Sequence, residues 1–255
     1  SYRECKKCNI AFGNTCEDSF GKYVLPLKIV SQVFGKKRSI GYSNKHSQIK
    51  INKEEAIFPE FSEEIKALIK SKEDNSVLIP EKDGFTLELV RKPYIPQFVY
   101  FSLLKMALTI LPFEEYEKYA HCYAMLYAVS RKEKKADGIK VCGFEEFIPG
   151  PERFKCTNVE LYKVKDMSSN RPYMHFCLNF GNYSLQIPLP TDQQQKSITV
   201  IGCKHHAKSE IRTLRFKEFE EIFKCHFSAV VKEVVGEEKE RLAKCLNLEF
   251  QNRAE

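Results

Sequence analysis

Two cysteines separated by two residues, Cys5 and Cys8, open the chain and are followed at once by an apolar pattern of helical period. Two thiolates at this spacing can close one edge of a tetrahedral Zn²⁺ site, but a closed structural site needs four ligands, commonly from a second such pair. No second Cys-x-x-Cys occurs in the sequence, and the first histidine is His46. The chain also starts at Ser1 rather than at a methionine. The expectation is that a segment upstream of Ser1 completes the motif.

A chain of 255 residues with 43% hydrophobic content can bury a substantial core, as one large domain or as a small module beside a larger one. No run of about 18 apolar residues appears, and the N-terminus lacks the basic, apolar and small-residue order of a secretory signal. The expected address is cytoplasmic, with no membrane partner. Ten cysteines would suggest disulfides in a small secreted chain, yet here they are widely scattered and the chain is too long to need staples. Those from Cys122 onward are expected to be reduced, buried small hydrophobes.

The formal net charge is +7, unevenly placed. Between Lys28 and Lys53 lie Lys36, Lys37, Arg38, Lys45 and Lys50, with no Asp or Glu. Such a stripe suits a polyphosphate, because each phosphate neutralised releases condensed counterions. The alternative is a solvated basic face. Lys36, Lys37, Arg38 and Lys45 are the candidate nucleic-acid contacts.

Apolar residues at three- and four-residue steps predict a helix over Asn9 to Val33, with Pro26 ending or kinking it near Leu25. The basic stretch predicts a loop and a short strand around Gln48 to Ile51. Phe61 to Ile69 reads as a short helix and Gly84 to Val90 as a strand. After the boundary at Pro93 and Pro96, two core helices are expected, Gln97 to Leu111 and Phe113 to Ser130, with Pro112 in the first turn of the second. Strands follow at Val159 to Val164, Tyr173 to Phe180, Tyr183 to Ile187 and Ile198 to Ile201, Gly181-Asn182 forming a hairpin turn. Two charged helices, Thr213 to Cys225 and Ser228 to Leu246, are expected to close the chain. The fold class is α+β, in three segments: 1–35, the cysteine pair and its helix; 36–92, a basic connection with short strands and a helix; and 93–255, a larger region of helices and antiparallel sheet that positions a substrate or senses a signal.

The opening Cys5-x-x-Cys8-Asn9-x-x-Phe12-Gly13, with Glu17, Asp18 and the basic segment beyond, resembles the second zinc knuckle of bacterial HNH endonucleases. The run Leu103 to Pro112 is similar to a helix-then-proline segment downstream in some members. The match covers about 35 residues closely. It implies the remnant of a treble-clef, ββα-metal module, with Cys5 and Cys8 as structural Zn²⁺ ligands and Asn9 as a helix-start residue near the catalytic pocket or an ordinary N-cap. It implies hydrolysis of DNA phosphodiesters with Mg²⁺ or a similar divalent ion, water being activated by a histidine whose basicity is matched to neutral pH. That histidine belongs to an upstream hairpin, so this chain alone is expected not to cut DNA. DNA is the implied partner, with a second copy of the chain, or a small-molecule or protein signal at the larger region, as further candidates.

Other groupings are weaker. Cys203 and His206, with His205 between, could add two ligands to Cys5 and Cys8, and equally read as a loop. Cys225-His226 and His121-Cys122 lie in apolar or tyrosine-rich helix patterns that read as packing. The rival to a nuclease is a non-catalytic module that binds a ligand or nucleic acid, with a vestigial knuckle.

Overall fold

Gly13, Gly21 and Pro26 do not break the first helix. The computed structural model describes residues 5–31, 33–34, 36, 39–43, 47–52, 70–71, 78–81, 84–131, 141–148, 154–163, 174–190, 209–216, 223–232 and 248–251. Helix α1, Lys6–Phe12, passes through a π turn at Gly13–Glu17 directly into α2, Asp18–Val30. The wide turn coincides with Thr15, whose hydroxyl donates to the Ala11 carbonyl at 2.9 Å, the back-bonding by which Ser and Thr deform helices. Pro26 lies inside α2 and does not end it, correcting the boundary expected at Leu25. An interior proline costs about 3 kcal/mol. Burial of Tyr23, Val24, Leu27 and Ile29 around it offsets this at about 1.5–3 kcal/mol per large apolar side chain.

The fold is mixed α+β, and the described residues form three antiparallel sheets. Strands β1 (Ser39–Ser43), β2 (Ser47–Asn52) and β3 (Lys70–Ser71) form the first, in that order. The second contains β4 (Leu78–Glu81), β5 (Gly84–Tyr94), β11 (Phe223–Lys232) and β12 (Leu248–Gln251), ordered β12-β11-β5-β4. The third contains β6 (Val141–Phe147), β7 (Phe154–Lys163), β8 (Met174–Gly181), β9 (Tyr183–Leu189) and β10 (Glu210–Phe216), ordered β10-β6-β9-β8-β7.

Helix α3 runs Pro96–Thr109, with Pro96 at its start. The single helix expected from Phe113 is instead two short 3₁₀ turns, Phe113–Glu115 and Glu117–Tyr119, followed by α4, Ala120–Arg131. Pro112 precedes the first turn as its cap. The Glu115 carboxylate is held by Lys118 at 2.9 Å and by Lys163 of β7 at 3.1 Å, which ties this tight segment to the sheet.

The two closing helices are corrected as well. Glu210–Phe216 and Phe223–Lys232 are strands, the second paired with β5 from Phe223 opposite Tyr94 to Lys232 opposite Gly84. Phe223, Cys225, Phe227, Ala229 and Val231 recur every second residue, the strand period, and long antiparallel pairing prevails over the helix-forming flanks. The helix expected at Phe61 to Ile69 and the strand at Ile198 to Ile201 lie outside the described residues.

Helix α3 packs against α2, α4 and strands β8, β9 and β10. Its Leu103, Leu104 and Ala107 are fully buried in one cluster with Phe12 and Leu27 of the first helices and Phe176, Leu178, Leu185 and Ile187 of the third sheet. Along β8 and β9 the side chains alternate, so that Met174, Phe176, Leu178 and Phe180 of β8 and Tyr183, Leu185, Ile187 and Leu189 of β9 share the face joined to α3. The β8–β9 turn is docked on the end of α2: Gly181 has φ +52°, and the Asn182 N–H donates to the Ser31 hydroxyl at 3.4 Å.

Candidate functional site

Cys5 has extended backbone (φ −69°, ψ 145°) and forms the N-cap of α1, its sulfur accepting from the Cys8 N–H at 3.2 Å and its carbonyl from the Asn9 N–H at 2.9 Å. Cys5 thus stands outside the helix and folds its thiol over the first turn, which carries Cys8. Cys5 is exposed and Cys8 half-buried. The cap is therefore cysteine, not Asn9, which sits one turn inside. Asn9 is exposed, and its side-chain oxygen accepts from Lys105 Nζ at 3.2 Å.

Lys105 is the sole charged residue of α3. Its ammonium also pairs with Glu17 at 3.0 Å and lies 4.3 Å from the centre of the Phe12 ring. Below this cluster Phe12 and Cys16 are fully buried. Burial pushes the Cys16 thiol up to about 12, so it stays protonated at neutral pH. The cysteine pair thus projects from a helix whose next two turns are fixed in the core.

Two thiols on a tight cap fit half of a zinc knuckle. Among the described residues no group of three or more His, Cys, Asp and Glu is placed to hold a metal. His46, Cys203, His205 and His206 lie outside the described residues, so the further ligand pair proposed from the sequence has no geometry to report. Lys36 is described and exposed, while Lys37, Arg38 and Lys45 lie outside the described residues. Cys122 is buried, its sulfur 3.3 Å from His121 Nε2 and 3.7 Å from the Pro190 carbonyl oxygen. Tyr116 meets Tyr123 edge-on at 5.5 Å, the contact of a packed aromatic stripe.

A second polar grouping was not singled out by sequence reasoning. The face of the third sheet opposite α3 carries Glu146 on β6, Ser184 and Gln186 on β9, His175, Cys177 and Asn179 on β8, and Asn158, Glu160 and Tyr162 on β7. The pairing register sets them in rows: Asn158 opposite Asn179 opposite Ser184 opposite Glu146, and Tyr162 opposite His175. Gln186 Nε2 donates to Glu146 and to Ser184, both at 3.3 Å, and the Asn179 amide to Asn158 at 2.8 Å. Tyr162 donates to Glu160.

A polar sheet face normally looks to water, but Glu146, Gln186 and Ser184 are at most 1% exposed. His175 is 8% exposed and its Nδ1 has no hydrogen-bond partner. Burial holds its pKa below the ordinary 6.5, favouring the neutral ring. Period-two alternation was the available signal, and it gives the face without giving its burial.

Compared with protein-family models, with curated proteins and with solved structures, the chain matches none. Among the described residues no helix is long and apolar enough to cross a membrane.

Proposed function

We propose that the chain acts on DNA as part of an HNH-type endonuclease, with Cys5 and Cys8 supplying two of four ligands to a structural Zn²⁺. The observation that carries this reading is the capped cysteine pair: one exposed thiol folded over a helical turn that bears the second, on a helix rooted in the core by Phe12 and Cys16. The other two ligands, and the histidine that would activate water, come from outside the described residues. Zinc at the knuckle would fix the direction in which α1 leaves it. Phosphodiester hydrolysis would further need a divalent ion such as Mg²⁺, for which the described residues offer no complete donor set, so no step is assigned to it.

In this chain's own residues, Lys105 fixes the Asn9 amide by holding its oxygen, leaving the amide nitrogen as the donor available to a phosphate. Lys36 stands exposed in the cationic stretch and would contact DNA backbone. Binding of duplex DNA, followed by fluorescence anisotropy over a salt series, tests this: binding should be independent of sequence and weaken steeply with salt. Replacing Lys36 by Ala should lower the slope of log K against log salt by roughly 0.9. An unchanged slope removes Lys36 from the interface, and absence of salt-dependent binding contradicts the reading.

The buried polar face favours a second reading, a module that binds a small polar ligand. Thermal unfolding with free nucleosides and amino acids tests it. A raised midpoint that His175→Ala abolishes supports this reading, and no shift with any of them counts against it.

A further inference from the structure

Cys5 and Cys8 have a chemistry besides metal ligation. Cys5 stands just outside the helix as its N-cap, with its side chain turned back over the first turn that carries Cys8. A disulfide needs the two Cβ atoms roughly 3.5–4.5 Å apart, and a Cys5 side chain already folded onto the backbone of Cys8 leaves that approach to a rotation of the cap and of the Cys8 side chain. The Cys5 sulfur already accepts the Cys8 N–H at 3.2 Å, which holds it over the residue it must bridge to. Lys6 and Lys7, both exposed, lie between the two cysteines, and the first turn holds no acidic residue. The turn thus presents positive charge, and no carboxylate of its own, to an anionic disulfide such as that of glutathione. Access is graded too, with Cys5 exposed and Cys8 half-buried, whereas Cys16 is fully buried.

We propose that Cys5 and Cys8 form a reversible dithiol–disulfide pair, with Cys5 the attacking thiolate and Cys8 the resolving one, whose oxidised form cannot hold the metal. The oxidant is a low-molecular-weight disulfide of the glutathione class. The Cys5 thiolate attacks one sulfur of that disulfide, breaking its S–S bond and releasing one thiol. The Cys8 thiolate then attacks the Cys5 sulfur of the mixed disulfide and releases the second thiol. Two protein thiols are oxidised, one external disulfide is reduced to two thiols, and the protons of Cys5 and Cys8 pass to the departing sulfurs. The exclusion of metal rests on the knuckle reading above, while the dithiol chemistry does not.

The test is a redox titration of the whole chain in glutathione buffers, in metal-free and Zn²⁺-saturated arms, with acid quench, alkylation of free thiols and peptide mapping. The metal-free chain should accumulate a Cys5–Cys8 disulfide as the buffer becomes more oxidising, reversed by dithiothreitol. Cys8→Ser should stop at the glutathione adduct on Cys5, and Cys5→Ser should react at least about tenfold more slowly. Zn²⁺ should suppress oxidation of both cysteines. Free thiols at Cys5 and Cys8 under oxidising buffers, only a stable glutathione adduct in the unmodified chain, or pairing of either with another cysteine would overturn the assignment. A disulfide that forms equally fast with Zn²⁺ present would uphold the dithiol pair and sink the metal knuckle.

Discussion

At Gly181 a Cβ would lie 2.3 Å from the Cβ of Ser31, on a backbone with φ +52°. Gly181→Ala should therefore destabilise the protein by well over about 1 kcal/mol, measured by urea denaturation, because it adds a clash to left-handed strain. Adding Ser31→Gly removes the contact with Ser31, together with the hydroxyl that accepts from the Asn182 N–H, and should recover only part of the loss, since the left-handed strain and a 3.0 Å approach to Val33 remain. Two other residues tie stability to pH. The Lys118 hydrogen bond, with Lys163 beside it, holds the Glu115 carboxyl below its ordinary 4.5. Its contribution is present above that value and lost as pH falls through the lower, folded one. Burial holds His175 below 6.5, so the unfolded chain takes up a proton that the folded chain resists, and stability declines as pH drops below 6.5. Urea midpoints measured over the acid range should show His175→Gln flattening the first part of the decline and Glu115→Gln the second. Identical profiles for all three proteins would contradict both assignments. Gly181 was legible as a hairpin glycine, since Gly-Asn between alternating runs has few other uses. Its contact with Ser31 was not, because no local pattern relates positions so distant in the chain.

Helices α1 and α2 are held to the third sheet by polar as well as apolar contacts. The Tyr23 hydroxyl donates to Glu145, and both residues are buried. Tyr23→Phe keeps the ring and removes this donor, so it should cost about 1–3 kcal/mol in a urea titration while leaving the far-ultraviolet circular dichroism unchanged. A neutral result would mean that the Glu145 carboxylate does not depend on Tyr23. The same helices show what a sequence conveys about elements. Their apolar spacing announced a helix, but Pro26 was weighted by local propensity when tertiary burial decided. Phe223–Lys232 failed in the opposite direction: its charged flanks suggested a helix, while its period-two apolar residues and its pairing with β5 made it a strand. The hairpin β8–β9 was legible throughout, since alternation, turn glycine and strand length agreed.

On the scale of the whole molecule, the buried cluster runs from Phe12 to Leu214 and joins the cysteine-bearing helices to α3 and the third sheet. The mixed α+β class followed from helix-period runs beside alternating runs. The buried polar face did not, because alternation reveals which residues share a side of a sheet and not what covers it. The capped cysteine pair was legible because it is local: two thiols, a cap and a helix lie within a few residues. Its remaining ligands would be remote in sequence and leave no such trace. The proposed function requires Cys5 and Cys8 to bind a metal together. X-ray absorption at the zinc edge, recorded on the chain after saturation with Zn²⁺ and removal of excess, measures this directly. Two sulfur neighbours at about 2.3 Å are expected, both absent from the Cys5→Ser/Cys8→Ser protein. Zinc bound only through nitrogen and oxygen, or a sulfur shell that survives the double substitution, would contradict it.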